Sequence, residues 1–272
     1  MFSYKQYHPS PQLAELIECY WTLQAGGGDK HIHDRLIPGG RVELMFNFAT
    51  PLQWLVNQDF SGGNYMSNAF IMGQRSKVFY AKSIGDEKMI GVRFKPGGLS
   101  AFTNVPAHEL LNNVIPAENI LGNRVHEWVT LLEEQENWVT KIALLDKLLR
   151  QAIMKIPADH TIMQYAVTTI KNGETSIQTI CNETGWYYKK LERLFLRSAG
   201  YTPKQYAKIT RFNKALRLMH GPESLTRVCY ECNYFDQSHF IKDFHELAGT
   251  SPKQFRKEDN EIASLLIKHQ PV

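Results

Sequence analysis

Ser176-Ile177-Gln178-Thr179-Ile180-Cys181 returns 48 residues later as Ser224-Leu225-Thr226-Arg227-Val228-Cys229. Thr184-Gly185 is answered by Cys232-Asn233, and Leu191-Glu192-Arg193-Leu194-Phe195 by Phe240-Ile241-Lys242-Asp243-Phe244. The first copy closes with Ala199-Gly200-Tyr201-Thr202-Pro203-Lys204-Gln205-Tyr206, the second with Ala248-Gly249-Thr250-Ser251-Pro252-Lys253-Gln254-Phe255. The offset grows to 49 beyond the turn, so the second turn holds one extra residue. Two matched copies mean one supersecondary unit used twice.

Each copy opens on a serine ahead of an apolar-periodic run, where a hydroxyl can accept an orphan backbone N–H. Each short helix should end at Gly185 or Asn233, residue types that take the left-handed conformation of a tight turn. A second helix follows, with Leu191, Leu194 and Phe195, or Phe240, Phe244 and Leu247, on its apolar face. Two short helices so joined form a helix-turn-helix, whose second helix can enter the DNA major groove; a duplicated hairpin in an ordinary bundle is the plainer alternative. Charge separates the two. Residues 159–257 hold 15 Lys and Arg against 9 Asp and Glu, whereas residues 1–158 hold 15 of each. A basic segment beside a neutral one is the footprint of a chain that neutralises phosphates.

The segment resembles the DNA-binding domain of the AraC/XylS family of bacterial transcription regulators. Val228 to His245 reads Val-Cys-Tyr-Glu-Cys-Asn-Tyr-Phe-Asp-Gln-Ser-His-Phe-Ile-Lys-Asp-Phe-His, followed by Gly249-Thr250-Ser251-Pro252 and Phe255-Arg256, close to that family's second-copy pattern. The first copy fits through Gly185, Leu191, Arg193, Phe195, Gly200, Thr202, Pro203 and Tyr206. Asn233 replaces the family's turn glycine, and Tyr187 and Phe235 stand where a serine usually caps the recognition helix. The caps then fall to backbone, water or Asp236. The resemblance implies double-stranded promoter DNA as partner, with a homodimer, RNA polymerase and a small effector as further partners, and a role in a bacterial cytoplasm as activator or repressor, which the residues do not separate.

Base readers follow from helix face and from the family motif. Lys189, Lys190, Glu192, Arg193 and Arg197 lie off the apolar face of the first recognition helix, and Gln237, Ser238, His239 and Lys242 off that of the second. Arginine can pair guanine bidentately, glutamate accepts from cytosine and glutamine pairs adenine. Each is alternatively a solvated surface group, and Arg193 can instead pair within the domain. Lys204 and Lys253, each after a proline at a helix start, suit phosphate. Between the copies, Pro203 to Met219 makes one long helix that should hold the two reading heads about 34 Å apart, one turn of duplex.

The 272 residues, with 43% hydrophobic and 21% charged, fit a two-domain globular protein. No apolar run approaches the ~20 residues of a membrane helix, and Met1 to Ser10 lacks the features of a signal peptide. Four cysteines without a disulfide framework fit a reducing cytoplasm. The expected fold class is α+β and multidomain. Residues 1–123 should form a β-rich domain, with strands at Arg41–Phe48, Leu52–Val56, Phe70–Phe79 and Met89–Phe94 among turns. A sandwich or small barrel fits, and it resembles the cupin-like sensory domain of many AraC-type regulators. Helical pieces follow at Ser100–Val105 and His108–Val114. Residues 124–156 form a helical connector whose apolar faces either dimerise two subunits or cover the barrel. Residues 159–257 are the DNA-binding domain and 258–272 a tail.

A barrel interior could hold an effector, with Tyr20, Trp21, Arg41, Glu43, Phe46, Trp54 and Arg93 as candidate lining. Metal or cofactor chemistry finds little support. Cys229-x-x-Cys232 reads as small core thiols, since Cys229 repeats Cys181. His31-x-His33 with Glu43 has the wrong spacing for a cupin metal motif, and no nucleotide or nucleophile-elbow motif is present. No cofactor is expected, and no enzyme; the rival reading is a cupin-like small-molecule binder or metal enzyme with an accessory helical domain.

Overall fold

The computed structural model describes residues 3–26, 31–51, 53–55, 62–173 and 176–257. The expected tail at 258–272, and Leu52 and Val56 of one expected strand, lie outside these residues. Two antiparallel sheets make the N-terminal part. The larger joins β1 (Ser3–Tyr7), β2 (Ile17–Ala25), β9 (Glu87–Phe94), β4 (Glu43–Asn47), β7 (Ala69–Met72) and β10 (Val114–Pro116), in that spatial order. The smaller joins β3 (His31–Leu36), β8 (Phe79–Ile84), β5 (Gln53–Leu55) and β6 (Asn64–Tyr65). The expected α+β, two-part architecture is present; among the described residues the strands form two sheets without closing into a ring.

Successive residues of a strand point to opposite faces, and this alternation divides the interior into layers. Leu44 and Phe46 point to one side of β4, with Ile71, Ile90 and Val92, while Met45 points to the other, with Trp21, Phe70 and Met72. The second set meets Trp54, Phe79 and Ala81 of the smaller sheet. Register decides the fit. Trp21 lies opposite Gly91, where any Cβ would sit 2.0 Å from the indole ring.

The first set is covered by helices: α1 (Glu118–Leu121), α2 (Arg124–Glu133) and α3 (Trp138–Ala152). Trp128 and Leu132 of α2, with Ile142, Leu145 and Leu149 of α3, are buried in the same cluster as the sheet. The connector's apolar faces therefore cover the sheet, one of the two alternatives open in the sequence. Three other expectations need correction. Phe70–Phe79 is not one strand: β7 stops at Met72, and a Cβ at Gly73 would meet the Leu110 carbonyl at 1.8 Å. Neither helical piece holds as drawn: short 3₁₀ turns stand at Gly98–Ala101 and Ala107–Leu110, and Val114 enters β10.

The C-terminal part is all helix: α4 (His160–Asn172), α5 (Ile177–Thr184), α6 (Tyr188–Ala199), α7 (Pro203–Met219), α8 (Leu225–Glu231), α9 (Gln237–Ala248) and α10 (Pro252–Phe255). The long α7 runs over the expected residues and buries Tyr206, Ile209, Phe212, Ala215, Leu216 and Met219. Its start is fixed by a capping box. Gln205 N–H donates to Thr202 Oγ1 at 3.2 Å, and Thr202 N–H donates to Gln205 Oε1 at 2.9 Å. One apolar cluster unites α4 to α10 and also takes in Ile37 from the β-rich part. Among the described residues no helix is long and apolar enough to cross a membrane.

Candidate nucleic-acid interface

The two copies fold alike because their local signals match. Ser176 caps α5 by accepting from Thr179 N–H, and Ser224 caps α8 by accepting from Arg227 N–H, both at 3.2 Å. Gly185 turns with φ +67°, and Asn233 with φ +55°. In the αL region a non-glycine side chain is strained, and asparagine is among the few that tolerate it. Each turn is then closed by the same bond: Trp186 N–H to Cys181 O at 3.0 Å, and Tyr234 N–H to Cys229 O at 3.1 Å. The extra residue lies after that bond. It lets Asp236 become the N-cap of α9, accepting from His239 N–H at 2.7 Å, whereas Tyr187 at the N-cap position of α6 makes no side-chain cap.

On α6, Leu191, Leu194 and Phe195 are buried while Lys189, Lys190, Arg193 and Arg197 are exposed. These charges are not loose. Lys189 pairs with Glu192 at 2.9 Å, a contact that holds the Glu192 carboxyl below its ordinary range. Lys190 stands 3.9 Å above the Trp186 ring, and Arg193 donates to the Tyr187 hydroxyl at 2.9 Å. Arg197 pairs with Asp159 at the start of α4. Lys204 and Lys253 are exposed in the first turns of α7 and α10, the former 5.7 Å from the Tyr188 ring centre.

On α9, Gln237, Ser238 and Lys242 are exposed, and Gln237 donates to Thr226 Oγ1 of α8 at 2.8 Å. His239 differs from its neighbours. Its ring packs edge-on against Tyr234, and Nε2 lies 3.4 Å from Asp243, which turns it partly into the domain. Asp243 is the residue the sequence reading passed over. It stands where the first copy has Leu194, is 6% exposed, and receives Lys208 at 3.1 Å and Arg211 at 3.3 Å from α7. The break in the repeat, an acid where its twin is apolar, was the signal that could have found it.

The β-rich part grips α4 and the end of the first copy directly. Gln74 Nε2 donates to Ala199 O at 2.6 Å, the Tyr201 hydroxyl donates to Arg75 O at 2.7 Å, and Gln164 Nε2 donates to Pro96 O at 2.9 Å. Gly200, with φ +73°, is packed so closely that a Cβ would lie 2.3 Å from Gln74 Nε2. The second copy hangs from the first through α7, and Arg35 stands 5.7 Å over the Phe255 ring at its end.

The candidate lining residues fall into three places. Trp21 and Trp54 lie between the sheets, with Trp21 Nε1 donating to Glu43 Oε1 at 3.1 Å. Arg93, 2% exposed, pairs with Glu43 at 2.8 Å. Burial opposes ionisation of Glu43, but Arg93 outweighs it and holds the carboxyl low. Tyr20 and Phe46 point the other way, into the helix-covered layer, where the Tyr20 hydroxyl donates to Asp146 at 2.9 Å. Arg41 pairs with Glu18 at 3.1 Å near the junction with α7. Cys229 and Cys232 are free and buried, and burial pushes the Cys232 thiol up to about 11. Among the described residues no group of three or more His, Cys, Asp or Glu could hold a metal; the side chains of His31 and His33 lie outside them.

Residues 180–258 match the family model of a helix-turn-helix domain, and residues 5–116 that of a domain of unknown function, DUF6597. The transcriptional activator RhaS of Enterobacter sp. (strain 638) is 31% identical over 85 residues, covering 31% of either chain. An uncharacterised helix-turn-helix transcriptional regulator of Escherichia coli K12, YidL, is 38% identical over 72 residues, 26% of this chain and 24% of that one. The chain thus matches about a third or less of the length of these relatives. Among solved structures, ToxT of Vibrio cholerae covers 94% of this chain and 97% of its own at 10% identity, with a TM-score of 0.48. A probable AraC family regulator of Rhodopseudomonas palustris covers 36% and 95% at 22% identity and a TM-score of 0.33. The likeness to these transcription regulators therefore lies in the C-terminal part, whose residues 180–258 form a helix-turn-helix domain.

Proposed function

We propose that the protein is a sequence-specific, double-stranded-DNA-binding transcription regulator of bacterial cytoplasm, with α6 and α9 entering successive major grooves of one duplex. The carrying observation is that both second helices of the repeat expose their polar faces, Lys189, Lys190, Arg193 and Arg197 on one and Gln237, Ser238 and Lys242 on the other. Arg193, Glu192 and Gln237 read base edges, Lys242 reads or grips beside them, and Lys204 and Lys253 hold phosphates next to helix N-termini. His239 contributes through its exposed edge. Residues 159–257 form the reading domain, 1–123 the sensory domain and 124–156 the connector. A small effector or a second copy acts through the sensory domain, around Glu43 and Arg93, and RNA polymerase is the downstream partner of an activator.

The experiment is selection of a duplex from a randomised pool by the full chain, followed by affinity measured from 50 to 300 mM salt. About six phosphate contacts give a log–log slope near −5, since each contributes roughly −0.9. Enrichment of no sequence, or a flat salt dependence, overturns the reading.

A further inference from the structure

Nine large hydrophobic residues are exposed among the described residues, and two of them follow the two turns at the same distance. Tyr187 stands two residues after the turn residue Gly185, and Phe235 two after Asn233. They are 62% and 92% exposed. Neither ring is core, and neither caps a helix: α6 has no side-chain cap, and Asp236 caps α9. Tyr187 holds the N-cap position of α6 and Phe235 the place just ahead of the N-cap of α9, so each ring lies at the end of a recognition helix that meets base edges. Tyr187 is held there by the bond from Arg193, and Phe235 leads into exposed Gln237 and Ser238.

A bare aromatic ring displayed twice at the reading end asks for an apolar partner there. In the major groove the one apolar feature of a base edge is the thymine C5-methyl, and phenyl rings are among the groups that cover it. Resting on the DNA-reading function above, we propose that Tyr187 and Phe235 are specificity-determining residues, each covering one thymine methyl, one in each half of the bound site. Repetition argues for DNA over a protein partner. A duplex offers the same groove edge to both copies, whereas a protein would need two matching pockets at that spacing.

The test uses the full chain and the duplex it enriches, with each thymine replaced singly by deoxyuridine, which removes only the methyl. Wild type should lose about fourfold in affinity at one thymine in each half, the scale of one buried methyl group. Phe235→Ser should abolish that penalty in one half only, and Tyr187→Ser in the other; Phe235→Leu, still apolar, should keep it. Both serine variants alter exposed positions, and circular dichroism checks that they fold. The proposal is overturned if no thymine is sensitive, if the serine variants keep the full penalty, or if they lose only transcriptional activation while binding DNA as wild type does. Failure to enrich any sequence overturns the DNA-reading function and this proposal together; a site enriched without methyl sensitivity overturns this proposal alone.

Discussion

Arg193 shows how one residue can be prepared for its partner before meeting it. A free arginine side chain must lose rotamer freedom on binding, and the Tyr187 hydroxyl at 2.9 Å already restricts it. Arg193→Ala should weaken the selected site by about 1–3 kcal/mol, with non-specific binding little changed. Tyr187→Phe keeps the ring and removes the hydroxyl, so it should cost roughly two- to tenfold. In the double variant the second change should add almost nothing, because both act through one bond. Equal, additive losses in competition binding would show that the hydroxyl does not position the guanidinium. Asp146 is a second residue whose surroundings decide its behaviour. Burial would raise its pKa, but the Ser10 N–H at 2.9 Å, the Tyr20 hydroxyl and Arg150 lower it on balance. A depressed folded value means the stabilisation is present above the unfolded carboxylate value, about 3.9, and is lost as pH falls through the folded one. Urea unfolding between pH 7 and 3 should therefore lose less stability in Asp146→Asn than in wild type. An unchanged acid loss would remove Asp146 from the account.

The elements that matter for binding were legible because their signals are short-range. A serine three residues before an amide, a glycine or asparagine at φ above +50° and a proline at a first helical turn act within one turn of chain, so repetition exposes them. The sheets were harder. β1, Ser-Tyr-Lys-Gln-Tyr, is half exposed and polar, and β2 is buried on both faces, so neither shows clean alternation. β10 carries Pro116, which an edge strand tolerates and sequence punctuation reads as a break. Which of Tyr20 and Trp21 meets which layer depends on register with β9, and that pairing is 70 residues away. Asp243 was invisible for a related reason, since its partners Lys208 and Arg211 come from another helix. This acid ties α9 to α7. Asp243→Ala should destabilise the protein by about 1–3 kcal/mol, because part-buried Arg211 loses its carboxylate and Lys208 is left with Glu246 alone. Asp243→Leu, matching Leu194 of the first copy, should cost less than alanine, since the leucine fills the space that alanine leaves empty while both cations, about a quarter or more exposed, turn to water. Denaturant unfolding ranks the two, and the reverse order would mean that charge, not filling, is what the position needs.

At the scale of the whole molecule the two reading heads are mounted differently. The end of α6 is clamped by Gln74, and Tyr201 just beyond it by Arg75 O, while α9 meets the rest of the chain through α7 and Asp243. A change in the β-rich part should thus reach the first head before the second. Gly200 makes this testable, because its φ of +73° and the 2.3 Å approach to Gln74 leave no room for a side chain. Gly200→Ala should push the β-rich part off α6 and speed hydrogen exchange at the amides of Gly200 and Tyr201, with α9 unchanged. Alanine also strains the helix end itself, by about 1 kcal/mol. Gln74→Ala supplies the control, since it removes the donor to Ala199 O from the other side without touching the helix. If both variants loosen the same amides and shift affinity for one half of the site only, the first head is under the control of the β-rich part. Equal loosening of α9 would mean instead that the C-terminal helices respond as one body, and that the clamp on α6 singles out neither half.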